Sequence, residues 1–431
     1  MIVEFSVKNF RSINDVQTIS FASTGLKSAE KYSEIDRNNI TVDGGNHLFK
    51  TLGIYGANAS GKTNIIKALD YFVKVVTKEA SSESGMNSIS DPFYFQEDFQ
   101  FTESFFQIVL ILNEKKYRYG LTVKKNLADS LERTGDKSNA EIVTSEWLFG
   151  PKEKNIVELF TRKHQNVKND RLPNKEKIPE LPYKHTLYLT HAAAFDKDGA
   201  CQSIRDYLRA FVVSNLDSDH ERFRWLSISH LRKDGEKRKF LELLSSFNLN
   251  YDDIIVQEDE DSLKKDIFPQ NKISFSKNYS SQSGAKEERS LNLSKNESSG
   301  TQKLFDLTGL LLRAFSLKQP AFIILDEIDR NFHPYLLIGF IKLFNDPAVN
   351  KSSSQLLFTS HDTNLMDPGI MRRDQFYLTE KNDDNSTRLY SLADLKGVRN
   401  DADFAKQYLA GYYGALPILS NYITGNNEAN E

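Results

Sequence analysis

The chain has 431 residues, 39% of them hydrophobic and 27% charged, with a formal net charge of -3. That length holds two or three domains with a sizeable core, and the near-neutral balance excludes a polycation that binds nucleic acid through bulk charge alone. The one cysteine, Cys201, excludes an internal disulfide framework and a cysteine-based metal site, and reads most simply as a small buried side chain.

In chain order, Ile2, Glu4, Phe5 and Val7 alternate as in a strand over 2–8, with a hairpin partner over 16–22. The early Glu4 and the lack of an apolar run argue against a signal peptide, and no stretch is apolar enough to span a bilayer, so a cytoplasmic location with no membrane partner is expected. An apolar run over 48–55 ends in a glycine-rich turn. Helical spacing follows over 63–78 through Ile65, Ile66, Leu69, Phe72, Val73 and Val76. Two strands, 105–112 and 116–123, are joined by the hairpin signal Asn113-Glu114-Lys115. Residues 124–145 read as a polar loop, and 146–149, 156–160 and 187–190 as short strands. From 196 to 262 the pattern is helical and charge-rich, and 270–297 reads as a loop or weak hairpin. A helix over 300–317, a buried strand over 321–325, another helix and a strand over 355–358 complete the pattern, with no repeat.

The strongest motif is Gly56-Ala57-Asn58-Ala59-Ser60-Gly61-Lys62-Thr63, followed by Asn64. It matches the phosphate-binding loop G-x-x-x-x-G-K-[ST], and it lies between a strand and a helix as that loop requires. The glycines let backbone N–H groups turn toward phosphate oxygens, and the helix start adds partial positive charge. Lys62 reaches the β- and γ-phosphates of ATP, and the Thr63 hydroxyl suits Mg2+. The strand 321–325 then delivers Asp326 for Mg2+ and Glu327 to polarise an attacking water. Alone, such an acid pair is an ordinary strand-to-helix junction; with the phosphate loop it becomes the second half of an ATPase.

Ser298, Ser299, Gly300 and Thr301 precede a helix. By themselves they make an ordinary cap. Their position before the acid pair is that of a segment which offers a γ-phosphate contact from a second subunit. His361, at the end of the strand 355–358, suits a hydrogen bond to the γ-phosphate. Asp329 is read either as a subunit-interface residue or as a helix cap.

This order of motifs resembles the ABC-type ATPases of the SMC and Rad50 group, and more closely the AAA15 family of bacterial ATPases. Further segments carry the resemblance: Asn9-Phe10-Arg11-Ser12-Ile13, Tyr117-Arg118-Tyr119-Gly120, Glu146-Trp147-Leu148, Arg372-Arg373-Asp374-Gln375 and Leu389-Tyr390-Ser391-Leu392. Near the C-terminus, Gly411-Tyr412-Tyr413-Gly414 stands where the family has Gly-Arg-Tyr-Gly. The resemblance implies an α/β fold: an ABC-type P-loop NTPase sheet with flanking helices and a helical insertion. It divides the chain into a first ATPase lobe over 1–195, a mainly helical, partner-binding insertion over 196–290, and a second lobe over 291–431. It implies a head-to-head homo-oligomer with each ATP between the phosphate loop of one copy and Ser298–Thr301 of the other. It further implies an anti-phage or toxin-control switch acting on a separate effector, a nuclease or toxin. The alternative is a Rad50-like ATPase acting on DNA ends or structure. A transporter subunit is disfavoured by the separation of about 236 residues between Lys62 and Ser298.

Three features stay open. Gln96 and Gln107 are both candidates for a Mg2+-sensing glutamine. The basic residues between Arg222 and Lys239 read as a solvated helical face or as a nucleic-acid contact. Arg224 and His230 have a spacing found in some ribonuclease toxins, which chance also produces. The acid pair Asp401 and Asp403 has too little chain after it for a nuclease module.

Overall fold

The computed structural model describes residues 1–78, 91–125, 141–153, 155–173, 175–215, 219–258, 271–280, 286–330 and 332–417. Parts of the segments read above as polar loop (126–140), helical region (216–218, 259–262) and weak hairpin (270, 281–285) lie outside these. Two compact units emerge: residues 1–211 with 359–431, and residues 212–358.

In the first unit a seven-stranded antiparallel sheet runs in the order Asn166–Lys168, Asn155–Lys163, Glu141–Lys152, Lys115–Lys125, Ser104–Leu112, Ile2–Lys8, Gln17–Ser20. Its register lines up Ile19, Phe5, Ile108 and Tyr119 across four strands, all buried. The helix Lys62–Thr77 buries its predicted apolar stripe. From that stripe the Phe72 ring meets Phe5 and Tyr119 at 5.8 Å each and Phe106 at 6.3 Å. Each such buried aromatic side chain contributes about 1.5–3 kcal/mol over leaving it in water, so the helix axis, and with it the phosphate loop, is set by this sheet face.

A second group of strands carries the loop itself. Thr51–Gly56 is buried along its whole length and pairs in parallel with Phe376–Lys381, which pairs antiparallel with Thr387–Ser391. The predicted run over 48–55 is broken at Lys50. Residues before it, Asn46–Phe49, pair instead with Ile40–Asp43, and the buried Lys50 ammonium donates to the Asn38 carbonyl at 2.8 Å.

The predicted strand over 187–190 is a short helix, Tyr188–Ala192. The cause is Glu146, fully buried in the sheet. Its carboxylate accepts the amides of Tyr188 at 2.7 Å and Leu189 at 2.8 Å, the Tyr119 hydroxyl at 3.0 Å, and Arg162 at 3.3 Å. A carboxylate at two adjacent amides organises a helix start, whatever the local strand preference. Arg162 in turn donates to the carbonyls of His164, Thr186 and Lys184.

The second unit has three parallel strands, Val212–Asn215, Phe322–Asp326 and Gln355–Thr359, the last running one residue past the unit boundary. It also holds the helices His220–Leu231, Glu236–Ser246, Ser299–Ser316 and Pro334–Asn345. The segment 196–290, expected to be mainly helical, also carries most of a three-stranded antiparallel sheet, Asp253–Glu258, Asn271–Ser280 and Lys286–Asn292. Ile254, Ile273 and Phe275 of that sheet share a core with Ile228, Phe240, Leu244 and Phe305 of three helices. The hairpin alternative over 270–297 is thus borne out by Asn271–Ser280 and Lys286–Asn292, and the strand Asp253–Glu258 joins it because this apolar side needs a partner. The compact units divide at 211/212 and 358/359, inside the segments that the sequence keeps whole.

Removing the Glu146 carboxylate leaves Arg162 buried without its counter-ion. Glu146→Ala is expected to cost about 3–5 kcal/mol, read as a lowered urea midpoint with unchanged slope. A midpoint equal to the wild type would refute this role.

Candidate functional site

The phosphate loop begins where the strand Thr51–Gly56 ends. Gly56 (φ 149°) and Gly61 (φ 114°) take backbone conformations that side chains resist, and Ala59 (φ 63°) joins them in the left-handed region. A Cβ at Gly56 would stand 2.3 Å from the Thr379 carbonyl oxygen, and one at Gly61 would stand 2.1 Å from Thr387 Oγ1. Both glycines are therefore required by close approach as well as by dihedral angle. Ser60 and Lys62 are buried, Thr63 and Asn64 half-buried, and Asn58 and Ala59 exposed. The Lys62 ammonium lies inside the turn, donating to the carbonyls of Gly56 at 2.9 Å and Ala57 at 3.0 Å. A glycine-rich turn at a helix start with an ammonium inside it fits a triphosphate by its donor set.

Side chains far away in sequence hold that loop. Thr387 Oγ1 donates to the Ser60 carbonyl at 2.9 Å and shares a hydrogen bond with Ser12 Oγ at 2.8 Å. The Asn64 amide donates to the same Ser12 hydroxyl at 2.7 Å, and Ser60 Oγ meets Thr379 Oγ1 at 2.6 Å. Ser12 belongs to the Asn9–Ile13 segment singled out in the sequence. Thr379 and Thr387 carried no signal of their own: a threonine in a strand is common, and only register places these two against glycines.

His361 follows Thr359 and Ser360. The Ser360 amide donates to the Ile54 carbonyl at 3.1 Å, which ties this turn to the phosphate-loop strand, and the His361 side chain is exposed. Gln96 is held in the loop around Asn9, donating to Asn9 Oδ1 at 2.6 Å, while Gln107 accepts from the Trp147 indole at 3.3 Å. Both candidate glutamines have structural partners.

In the second unit, Asp326 ends its strand with its side chain buried. Glu327 comes next at φ 52°, a left-handed conformation that costs a non-glycine residue about 1 kcal/mol and concentrates where geometry serves function. It lies 3.7 Å from the Arg330 guanidinium, and the Lys303 ammonium donates to the Arg330 carbonyl at 2.6 Å. Asp329 is half-buried in the turn that follows. It does not cap the next helix: His333 does, accepting from the Tyr335 amide at 3.2 Å.

Ser298 caps Ser299–Ser316, accepting the Thr301 amide at 3.2 Å and meeting the Thr301 hydroxyl at 3.0 Å. Ser298 and Ser299 are exposed, Gly300 is half-buried and Thr301 is buried. Farther along the helix, Arg224 holds Asp306 through two bonds, at 3.0 and 3.1 Å, and reaches Gln302 at 3.3 Å. Burial pushes the Asp306 carboxyl up to about 6, and Arg224 opposes that shift. Arg224 is thus a brace of this helix, and its spacing partner His230 lies 2.8 Å from Glu236. Lys237, Arg238 and Lys239 pair with Asp253, Glu242 and Glu236, so much of the basic run is a solvated face balanced by acids.

A family model described as "AAA domain, putative AbiEii toxin, Type IV TA system" matches residues 52–367, a span from the phosphate-loop strand to just past His361. Comparison with curated proteins returns no match. Among solved structures, one titled as the recombination mediator protein RecF with ATPrS in the RecFOR pathway aligns over 90% of this chain and 98% of its own, with 12% identity and a TM-score of 0.29. That likeness is too distant to bear on function.

Thr387→Val keeps the shape of the side chain and deletes the hydroxyl between Ser12 and Ser60. It is expected to lower stability by about 1–3 kcal/mol, measured by urea denaturation, because two partners lose their bond in a buried place. An unchanged midpoint would remove Thr387 from the account.

Proposed function

The chain belongs to this AAA-domain family and is an ATPase, and on that premise we propose that it works as a nucleotide-driven switch whose ATP sites are completed between two copies. The observation that supports this most directly is the phosphate loop, with its two constrained glycines and an inward Lys62 at a helix start. A second supports the pairing of copies: the helix start at Ser298 and Ser299 is capped and exposed, so its first-turn amides suit an anion brought by another molecule.

In this reading, backbone amides over Gly56–Thr63, other than that of Ala57, which a protein carbonyl takes, and the Lys62 ammonium grip the β- and γ-phosphates of ATP. Ser298, Ser299, Gly300 and Thr301 of the second copy offer hydroxyls and amides to the γ-phosphate. Glu327 orients and polarises the attacking water, and His361 hydrogen-bonds the γ-phosphate. Asp329 lies toward the facing copy. The hydroxyl of Thr63 and the carboxylate of Asp326 are the hard oxygen donors Mg2+ prefers, and the ion when bound neutralises charge on the phosphates. Closure on ATP and opening after hydrolysis are the mechanical output.

At the level of the cell, the reading extends to the AAA15 resemblance: an ATPase of an anti-phage or toxin-control system that restrains or releases a separate nuclease or toxin. Among the described residues, no helix is long and apolar enough to cross a membrane. DNA-stimulated hydrolysis by the purified chain would favour the Rad50-like alternative instead.

Lys62→Ala is expected to abolish ATP binding in calorimetry. Glu327→Gln should retain binding, lose turnover by at least about a hundredfold, and accumulate a dimer or larger assembly with ATP in light scattering. A Glu327→Gln protein whose mass does not change with ATP would sink the two-copy site while leaving ATP binding intact.

A further inference from the structure

The C-terminal segment of the first unit returns to the start of the phosphate loop. The Ala57 amide donates to the Ala415 carbonyl at 2.9 Å, so this N–H faces protein and is withdrawn from phosphate. On its other side, the Ala57 carbonyl accepts the Lys62 ammonium at 3.0 Å. One residue of the loop thus links the tail to the lysine.

The tail is built to present that carbonyl. Gly414 (φ 73°) and Ala415 (φ 59°) are successive left-handed residues, a conformation that needs support at the alanine. Glu380 Oε2 accepts the Ala415 amide at 3.3 Å, and Glu380 Oε1 is held by Arg388 at 3.1 Å. The Tyr390 hydroxyl lies 2.7 Å from the Tyr413 carbonyl and 3.2 Å from Glu380 Oε2, so its proton is shared among acceptors of this turn. The Tyr408 hydroxyl donates to the Ala415 carbonyl at 3.2 Å. A Cβ at Gly414 would stand 2.8 Å from Glu380 Oε2 and 2.9 Å from the Tyr390 hydroxyl, so it would displace those two side chains, and the left-handed φ of 73° resists it as well. Burial, with the Glu380 charge behind it, pushes the Tyr390 phenol up, which keeps it a donor.

Glu380 and Tyr390 stand on the same two strands that supply Thr379 and Thr387 to the loop glycines. The loop is therefore gripped at Gly56, Ala57 and Gly61 by one hairpin and its appended tail. We propose that residues 411–415 form a clamp on the phosphate loop, with Gly414, Tyr390 and Glu380 as positioning residues that set ATP affinity through Ala57 and Lys62. The clamp holds the Ala57 peptide plane. That plane decides where the Lys62 ammonium waits and which amides remain for phosphate. None of the three touches the reacting atoms, so they act on binding and leave the chemical step to Glu327.

The inference rests on ATP occupying the phosphate loop, and the experiment separates the two. ATP binding and steady-state hydrolysis are measured for the wild type, Gly414→Ala, Tyr390→Phe, Glu380→Ala and Glu380→Gln, together with nucleotide-free melting. Gly414→Ala, Tyr390→Phe and Glu380→Ala should raise Kd and KM for ATP by about tenfold, equivalent to one lost hydrogen bond of ~1.4 kcal/mol, while kcat at saturating ATP holds. Glu380→Gln, which keeps an acceptor for the Ala415 amide, should stay near the wild type. Should Gly414→Ala fail to fold, Tyr390→Phe decides, since it removes one oxygen only. Wild-type affinity in Tyr390→Phe and Glu380→Ala overturns the clamp, and so does a loss confined to kcat. A wild type that binds no ATP overturns the clamp and the ATP reading together.

Discussion

The close approach of two threonines to two glycines is the constraint on which the rest of the phosphate site depends. Thr379 and Thr387 occupy the space where a Cβ of Gly56 or Gly61 would have to go. Because those positions have none, the loop backbone can approach the neighbouring hairpin closely. The grip also takes up Ser12, so the loop is fixed by three remote parts of the chain. A loop so held has lost its conformational freedom before any nucleotide arrives, which lowers the entropy cost of binding.

The second unit follows the same logic with a different contact. Gly309 lies against Ser227, where a Cβ would stand 2.3 Å from the Ser227 Cα, and the Ser227 hydroxyl bonds the carbonyls of Phe305 and Asp306. The helices His220–Leu231 and Ser299–Ser316 therefore touch backbone to backbone, and Arg224 adds its two bonds to Asp306. The helix that presents Ser298 is thus held directly against the helix that carries Arg224. What looked like a basic surface run in the sequence is in part the mount of the serine-capped helix.

Buried charge marks where local sequence signals fail. Glu146 reads as a strand residue, and it is one, yet its carboxylate reaches across to start the helix at Tyr188. The residues over 187–190 read as a short strand, but two amides bound to one buried carboxylate outweigh a four-residue preference. Lys50 acts in the same way, ending one strand and beginning another inside a continuous apolar run.

By itself the sequence determined the phosphate loop, the helix after it, the strand that ends in Asp326 and the serine cap at 298. Each of these is local: a dihedral need, a helical period, a buried run or a cap lies within a few adjacent residues and is written in their identities. The tertiary structure alone decided which remote residues hold those parts. That Thr387 serves Gly61, that Arg224 braces the Ser298 helix, and that the Ala415 carbonyl takes the Ala57 amide depends on strand register and helix crossing. Such pairings bring together residues separated by up to several hundred positions. The hairpin alternative read over 270–297 is present as Asn271–Ser280 paired with Lys286–Asn292, whereas the strand Asp253–Glu258 beside it was hidden for the same reason, since the sheet's apolar side has meaning only against Phe240 and Phe305. Packing partners are a property of the folded chain, and no window of sequence contains both members of such a pair.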